Sequence, residues 1–411
     1  MAGKTVLVLG GGVGGTVAAN RLRARLEPDD RVVVVDKSRD QLFAPSLLWL
    51  LVGARQPDRL SKPISRALRP GIELVTAEIR SIDPVGRRVV TDAGEWTADA
   101  LVIALGAELA PDASPGYADA AHDFFALDGA AAFAEELARF GGGRIAVTVT
   151  ALPFKCPAAP YEAALLIDAN LRRRGLRARS EIDVYSPELQ PMPVAGPAMG
   201  RAMVGLLEER GIGFHPDRAI AGYEATSREI VFADDGRAGF DLLAGVPPHR
   251  SPRPVRESVL ANPGGWISVD PRTLEAGHEN VFAVGDCSAV LLANGKFLPK
   301  AGVFAHAQAL VVAEEIAARF AGRGGAARRE GARFDGLGYC WVELGGGRAA
   351  FAIGDFFAQP DPSIALRGPG RGWHLGKVLF ERYWLGGTLE RALAAMGLRL
   401  GARLLGLPAQ V

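Results

Sequence analysis

Residues 5–15 constrain this chain more than any other stretch. They read Thr-Val-Leu-Val-Leu-Gly-Gly-Gly-Val-Gly-Gly, an apolar run entering a tight glycine turn and then a helical pattern. Gly10, Gly12 and Gly15 fit Gly-x-Gly-x-x-Gly. The first permits the turn, the second lets the backbone approach a pyrophosphate, and the third lets the helix pack on its strand. The free N–H groups and positive dipole end of such a helix suit phosphate. The helix is expected over about 13–26, broken by Pro28. A second strand, Val32 to Val35, ends at Asp36, where a carboxylate can bind ribose hydroxyls. Strand, loop, helix and acid together predict a dinucleotide-binding βαβ unit.

At 411 residues the chain has room for two or three cores. Its net charge of +1 gives no support to nucleic-acid binding. No run of ~18 apolar residues reads as a transmembrane helix. The N-terminus enters a strand at once, and no signal peptide is expected. Three cysteines, Cys156, Cys287 and Cys340, are too few and too scattered for a secreted disulfide framework. A metal site is not expected, because no Cys-x-x-Cys or paired histidines occur.

A second strand–turn–helix start follows at 145–157, yet no glycine occurs from 146 to 162. Such a loop cannot bring backbone close to a pyrophosphate, which disfavours NAD(P)H as electron donor. Val281 to Val284 followed by Gly285-Asp286 resembles the terminal flavin motif of two-dinucleotide-domain flavoproteins, whose aspartate binds ribityl hydroxyls. Ala104-Leu105-Gly106 stands where that superfamily usually has Ala-Thr-Gly. FAD is therefore the expected cofactor. The expected fold class is α/β, with two Rossmann-like dinucleotide-binding domains and a small C-terminal α+β domain. The first, FAD-binding domain is discontinuous, over 1–111 and 241–330; the second spans 112–240 without a phosphate loop. Residues 322–331 read as a linker, and 331–411 form the third domain with an amphipathic tail.

Four stretches resemble the sulfide:quinone oxidoreductases and the flavoprotein subunit of flavocytochrome c sulfide dehydrogenase. They are Pro153-Phe-Lys-Cys-Pro-Ala-Ala-Pro-Tyr-Glu162, Gly338-Tyr-Cys-Trp-Val-Glu343, Leu298-Pro-Lys-Ala-Gly302 and Lys377-Val-Leu-Phe-Glu-Arg-Tyr-Trp-Leu385. By this likeness Cys156 and Cys340 are a redox pair at the flavin. Sulfide attacks their disulfide to leave a persulfide, and the other thiolate passes electrons to FAD, then on to a membrane quinone. The step needs an accessible sulfur and a stabilised thiolate, for which Lys155 offers positive charge. Glu162 takes the acid/base position if burial raises its pKa. The likeness adds Lys37, Ala44, Pro45, Gly106, Gly285, Asp286, Lys300 and Gly302 to the FAD contacts. It assigns Lys377 to a quinone carbonyl, beside Phe356, Phe357, Phe380 and Tyr383. Cys287 reads instead as a small buried hydrophobe.

One departure stands out. Many members carry a third cysteine, followed four residues later by histidine, near 121–130; here Phe125 and Gly129 take those places. Polysulfide-chain chemistry is therefore not carried over, and sulfur is expected to leave early to a small acceptor. His374, just before the Lys377 motif, is a weak candidate for the quinone region. In the tail, Leu389, Leu393, Met396, Leu400 and Leu404 recur at spacings of three and four. That helix could cap its own domain, seal a homo-oligomer or lie in a membrane interface. A lipid-soluble acceptor favours the last, and hence a peripheral, monotopic protein. Three alternatives stay open: the sulfide dehydrogenase flavoprotein donating to cytochrome c, a non-catalytic cysteine-based redox flavoprotein, and a type-two NADH dehydrogenase.

Overall fold

The computed structural model describes residues 3–322 and 332–407. Strand β1 (Thr5–Leu9) leads through the glycine loop into helix α1 (Val13–Arg23), then β2 (Arg31–Asp36), a short helix α2 (Leu47–Leu51), β3 (Ile72–Thr76) and β4 (Ala100–Ile103). β1 and β2 pair in parallel, with Leu7 opposite Val33 and Leu9 opposite Val35. These strands are continuous Val/Leu/Ile runs, because a parallel sheet with both faces covered has no wet side. Val6, Leu7, Val33 and Leu101 are at most 1% exposed. Each such side chain contributes roughly 1.5–3 kcal/mol.

The chain then builds a second parallel sheet. Its strands are β5 (His122–Asp123), β6 (Gly143–Val149), β7 (Ser180–Tyr185), β8 (Gly213–His215) and β9 (Leu242–Val246), with helix α3 (Ala159–Arg173) following β6. The spatial order is β5-β9-β6-β7-β8. Here the expected division at 240/241 falls one strand too early. β9 lies inside this sheet, with Ile145 opposite Leu242 and Val149 opposite Val246. Its five residues are all buried. They are short, contain Gly245 and run into Pro247-Pro248, so they look like a loop in sequence although both faces are covered.

β10 (Val281–Ala283) returns to the first sheet and completes the order β10-β4-β1-β2-β3, again all parallel. Helix α4 (Gly302–Phe320) packs against α1. The expected linker lies almost wholly outside the described residues. Beyond it, β11 (Leu337–Gly345), β12 (Arg348–Asp355) and β13 (Ser363–Gly370) form an antiparallel sheet, followed by α5 (Arg371–Leu385) and α6 (Thr388–Leu404). β11 lies on α3 of the second sheet's layer. This packing brings Cys340 on β11 to the N-terminal end of α3, where the Cys156 loop sits. Among the described residues no helix is long and apolar enough to cross a membrane.

Candidate active site

A single cavity of about 1050 Å³ runs between the three layers. Ligand sites span roughly 300–1,000 Å³, so there is room for a large cofactor and a second occupant. The cavity begins at the carboxyl ends of the first sheet's strands, where ligands of doubly wound folds bind. Gly10 has φ of +103°, and a Cβ on it would strike the Ala104 carbonyl. A Cβ on Gly15 would strike the Gly10 carbonyl, whereas Gly12 faces open space on the cavity wall. No side chain caps α1, so its first N–H groups are left for an anion. Asp36 accepts from the Gly11 N–H at 2.6 Å and the Ser38 N–H at 2.7 Å, bracing the loop at the ribose position. These features fit the pyrophosphate and ribose of a dinucleotide.

Further along, Ala44, Pro45, Gly106, Gly285, Asp286, Lys300 and Gly302 all border the cavity. Gly302 begins α4, which also lacks a side-chain cap and aims its N-terminus inward. Lys300 Nζ donates to the Asp286 carbonyl at 2.5 Å and lies 3.5 Å over the Trp266 ring. Burial lowers its pKa to about 8, although the Asp286 carboxylate opposes this. Trp266, absent from the sequence reading, borders the cavity as well. Lys37 does not border the cavity: it follows Asp36 out of the strand end and is exposed.

Cys156 and Cys340 border the same cavity, unbridged. Cys156 has φ of +55°, the left-handed region that a non-glycine residue enters rarely and at functional sites. Its N–H donates to the Lys300 carbonyl at 2.7 Å, and its carbonyl accepts from the Ala159 N–H at 2.9 Å. The Cys156 backbone is thereby tied both to Lys300 and to the start of α3. Burial pushes the Cys156 thiol up to about 12; the Glu162 carboxylate raises it further and Lys377 opposes. Burial also raises Cys340, with the Cys156 thiolate as the next cause. Each sulfur thus senses the other, along with Glu162 and Lys377. Lys155 is not the neighbouring cation. Its ammonium lies 5.9 Å over the Phe125 ring, because Lys155 and Cys156 are consecutive and diverge at the turn. Cys287 is fully buried, with its sulfur 3.4 Å from the Ile103 and Val284 carbonyls, as a structural cysteine would be.

Glu162 lies on the first turn of α3 and is 2% exposed. It is ion-paired with Lys377 of α5, itself 6% exposed. Burial raises the Glu162 pKa to about 6, opposed mainly by Lys377. The Lys377 pKa is raised by Glu162 and Glu343, against burial. Lys377, which the resemblance puts on a quinone carbonyl, borders the cavity while its ammonium is paired with Glu162. His374 does not border the cavity; it holds the Glu343 carboxyl at 2.8 Å.

Toward the outside, α5 and the Phe43 segment supply an aromatic wall. Phe380 lies 5.8 Å from Phe43 and 5.4 Å from Trp341, and Tyr383 lies 6.1 Å from Trp384. Phe380, Tyr383 and Phe356 border the cavity. Phe357 does not. Adjacent residues at a strand end point opposite ways, so Phe356 meets Phe304 at 5.0 Å while Phe357 packs on Phe334 at 5.4 Å under Arg272.

Known proteins with this fold are numerous. A family profile described as pyridine nucleotide-disulphide oxidoreductase matches residues 4–309. The chain belongs to that family. This pyridine nucleotide-disulphide oxidoreductase is 25% identical to the mitochondrial sulfide:quinone oxidoreductase of Mus musculus over 372 residues, covering 86% of this chain and 79% of the mouse protein. It is 27% identical over 334 residues to the sulfide-quinone reductase of Aquifex aeolicus, covering 76% of each chain. The crystal structure of the sulfide:quinone oxidoreductase from Aquifex aeolicus superposes with a TM-score of 0.81 at 22% identity, over 96% of this chain and 95% of that one. The fold is thus that of the two-dinucleotide-domain flavoproteins, the chain is an oxidoreductase, and FAD is its cofactor.

Proposed function

We propose that this flavoprotein oxidises sulfide to zero-valent sulfur through Cys156 and Cys340 and delivers the electrons to a quinone. One observation carries the reading: two cysteines from distant parts of the chain meet in the flavin cavity, with a buried carboxyl and a buried ammonium beside them. Sulfide:quinone oxidoreductase relatives supply the substrate and acceptor by name. The Gly10–Gly15 loop and Asp36 hold the dinucleotide, while Lys300 and the start of α4 put positive potential at the far end of its site. Bound there, FAD supplies a two-electron acceptor that a quinone can empty.

The chain's own residues do the sulfur and proton work. Sulfide attacks the oxidised pair, one sulfur–sulfur bond forming as the other breaks. Burial raises both thiol pKa values and so disfavours the displaced thiolate, which Lys377 opposes in part. Glu162, ionised above pH ~6, accepts the S–H proton. The aromatic wall of Phe380, Tyr383 and Trp384 offers an apolar slot for the quinone ring. The α6 stripe supports a membrane-surface location. Leu389, Leu393, Met396, Leu400 and Leu404 are 55–78% exposed, while Ala394 on the opposite side is buried. A helix packed internally would cover that stripe.

A nicotinamide donor is disfavoured by the second loop. Residues 152–158 fill it without glycine, and α3 carries proline at its start, removing an N–H donor. Under anaerobic conditions sulfide is expected to bleach the flavin, a short-chain quinone to restore it, and NADH to do neither. Bleaching by NADH alone would contradict the reading and favour a type-two NADH dehydrogenase. Bleaching by sulfide with no quinone reoxidation would favour a cytochrome-linked or sensing protein.

A further inference from the structure

The cysteine cluster does not end at Lys377. Glu343 lies on β11 three residues after Cys340, and it is 1% exposed. One of its carboxyl oxygens meets His374 Nδ1 at 2.8 Å; the other is buried with no hydrogen-bond partner among the described residues. Its backbone amide helps hold the charge of Glu162, and its carboxyl acts on Lys377. His374 and Lys377 sit three apart on α5, so their side chains leave the same face. His374 is 31% exposed at its side chain, the only member of this series that reaches water to that extent. Trp49 of α2 stands edge-on to His374 at 6.0 Å and beneath Lys377 at 5.0 Å. It closes the series on its remaining side. The Arg55–Glu381 pair beyond Trp49 is satisfied within itself and with Ser46.

We propose that Glu343 and His374 form a proton outlet that carries the proton of sulfide from Glu162, past Lys377, to solvent. This deepens the sulfide-oxidation reading and rests on it. The chemistry requires such a route. Sulfide as H₂S joins the Cys156–Cys340 disulfide as a bridging sulfur, two electrons and one proton pass to FAD, and one proton is left over. That proton arrives at Glu162, which is 2% exposed and ion-paired with Lys377. Neutralising Glu162 frees the Lys377 ammonium to turn toward the unpartnered oxygen of Glu343. A proton passed to Glu343 continues to His374, and from the exposed ring edge to water. The orphaned oxygen is the observation that a purely structural Glu343–His374 pair leaves unexplained, because buried polar atoms are ordinarily partnered. His374 and Glu343 are positioning and relay residues in this scheme; they touch neither sulfide nor FAD.

The test is stopped-flow reduction of the FAD-loaded protein by sulfide from pH 6 to 9, comparing wild type with H374A, H374N and E343Q. Titratable groups facing the relay are Cys156, Cys340, Glu162 and Lys377, with Asp286 acting on Cys156 from the flavin side, and they are unchanged in all three. The expected result is a tenfold or greater slowing in H374A and H374N, with unchanged FAD content. Added imidazole should restore much of the H374A rate, which a merely structural role would not allow. E343Q should slow reduction and show no imidazole rescue. H374A rates within twofold of wild type, or a loss that imidazole leaves untouched, would overturn the outlet while leaving sulfide oxidation standing. A wild-type flavin that sulfide fails to bleach would overturn both.

Discussion

At the scale of single residues, function concentrates in side chains whose charge is displaced by burial. Glu162 titrates near 6, above its ordinary 4.5. Below that pH it is protonated and cannot take a proton from sulfide; above it, it can. Flavin reduction should therefore rise with pH through about 6, and Glu162→Gln should abolish the rise and slow reduction by ~10²-fold. Glu188 gives a stability counterpart. Burial raises it to about 7, partly offset by the Tyr161 hydroxyl at 2.6 Å. Because the folded pKa lies above the unfolded one, its contribution is fully present below pH ~4.5 and lost as pH rises through about 7. Glu188→Gln should raise the Tm at pH 8, by up to about 3 kcal/mol of stability, and change little at pH 5. Much at this scale was legible in the sequence. Cys156 stood out because proline flanks it, and Glu162 because it follows in the same motif. Which carboxyl Lys377 meets was not legible, since its ion pair joins α5 to α3 from distant parts of the chain. The Glu343–His374 contact was hidden similarly, although each lies three residues from a residue already singled out.

Individual elements show which sequence signals translate into geometry. The glycine loop did so directly, because each glycine answers a separate steric demand. Gly15→Ala would drive a methyl into the Gly10 carbonyl and should lower stability, read as a lower Tm. Gly12→Ala meets nothing in the protein, so it should leave the apoprotein Tm unchanged while weakening FAD retention on gel filtration. The strand β9 escaped the sequence reading because five residues before two prolines carry no periodicity. Its membership of the second sheet follows only from pairing with β6. The α6 helix was legible as amphipathic, yet spacing alone could not say which way its stripe faces. Its exposure now gives a definite expectation. Leu393→Glu with Leu400→Glu should abolish co-sedimentation with anionic vesicles, and sulfide should still bleach the flavin in solution.

Across the whole molecule, three layers enclose one cavity and each contributes a different function. The first sheet presents the glycine loop to the cavity at its strand ends. The second has kept the Rossmann topology but traded its phosphate loop for the Cys156 loop, which is anchored to Lys300. The C-terminal layer returns Cys340, Lys377 and the aromatic wall. The two cavity cysteines come together only when residues 184 positions apart are packed together, and in sequence only the likeness of two separate motifs paired them. The most direct test of this arrangement is an anaerobic sulfide titration of the flavin absorbance in wild type, Cys156→Ser and Cys340→Ser, each with its FAD content measured first. All three should retain FAD, and only the wild type should bleach rapidly. Rapid bleaching in either serine variant would contradict a paired-cysteine route from sulfide to flavin.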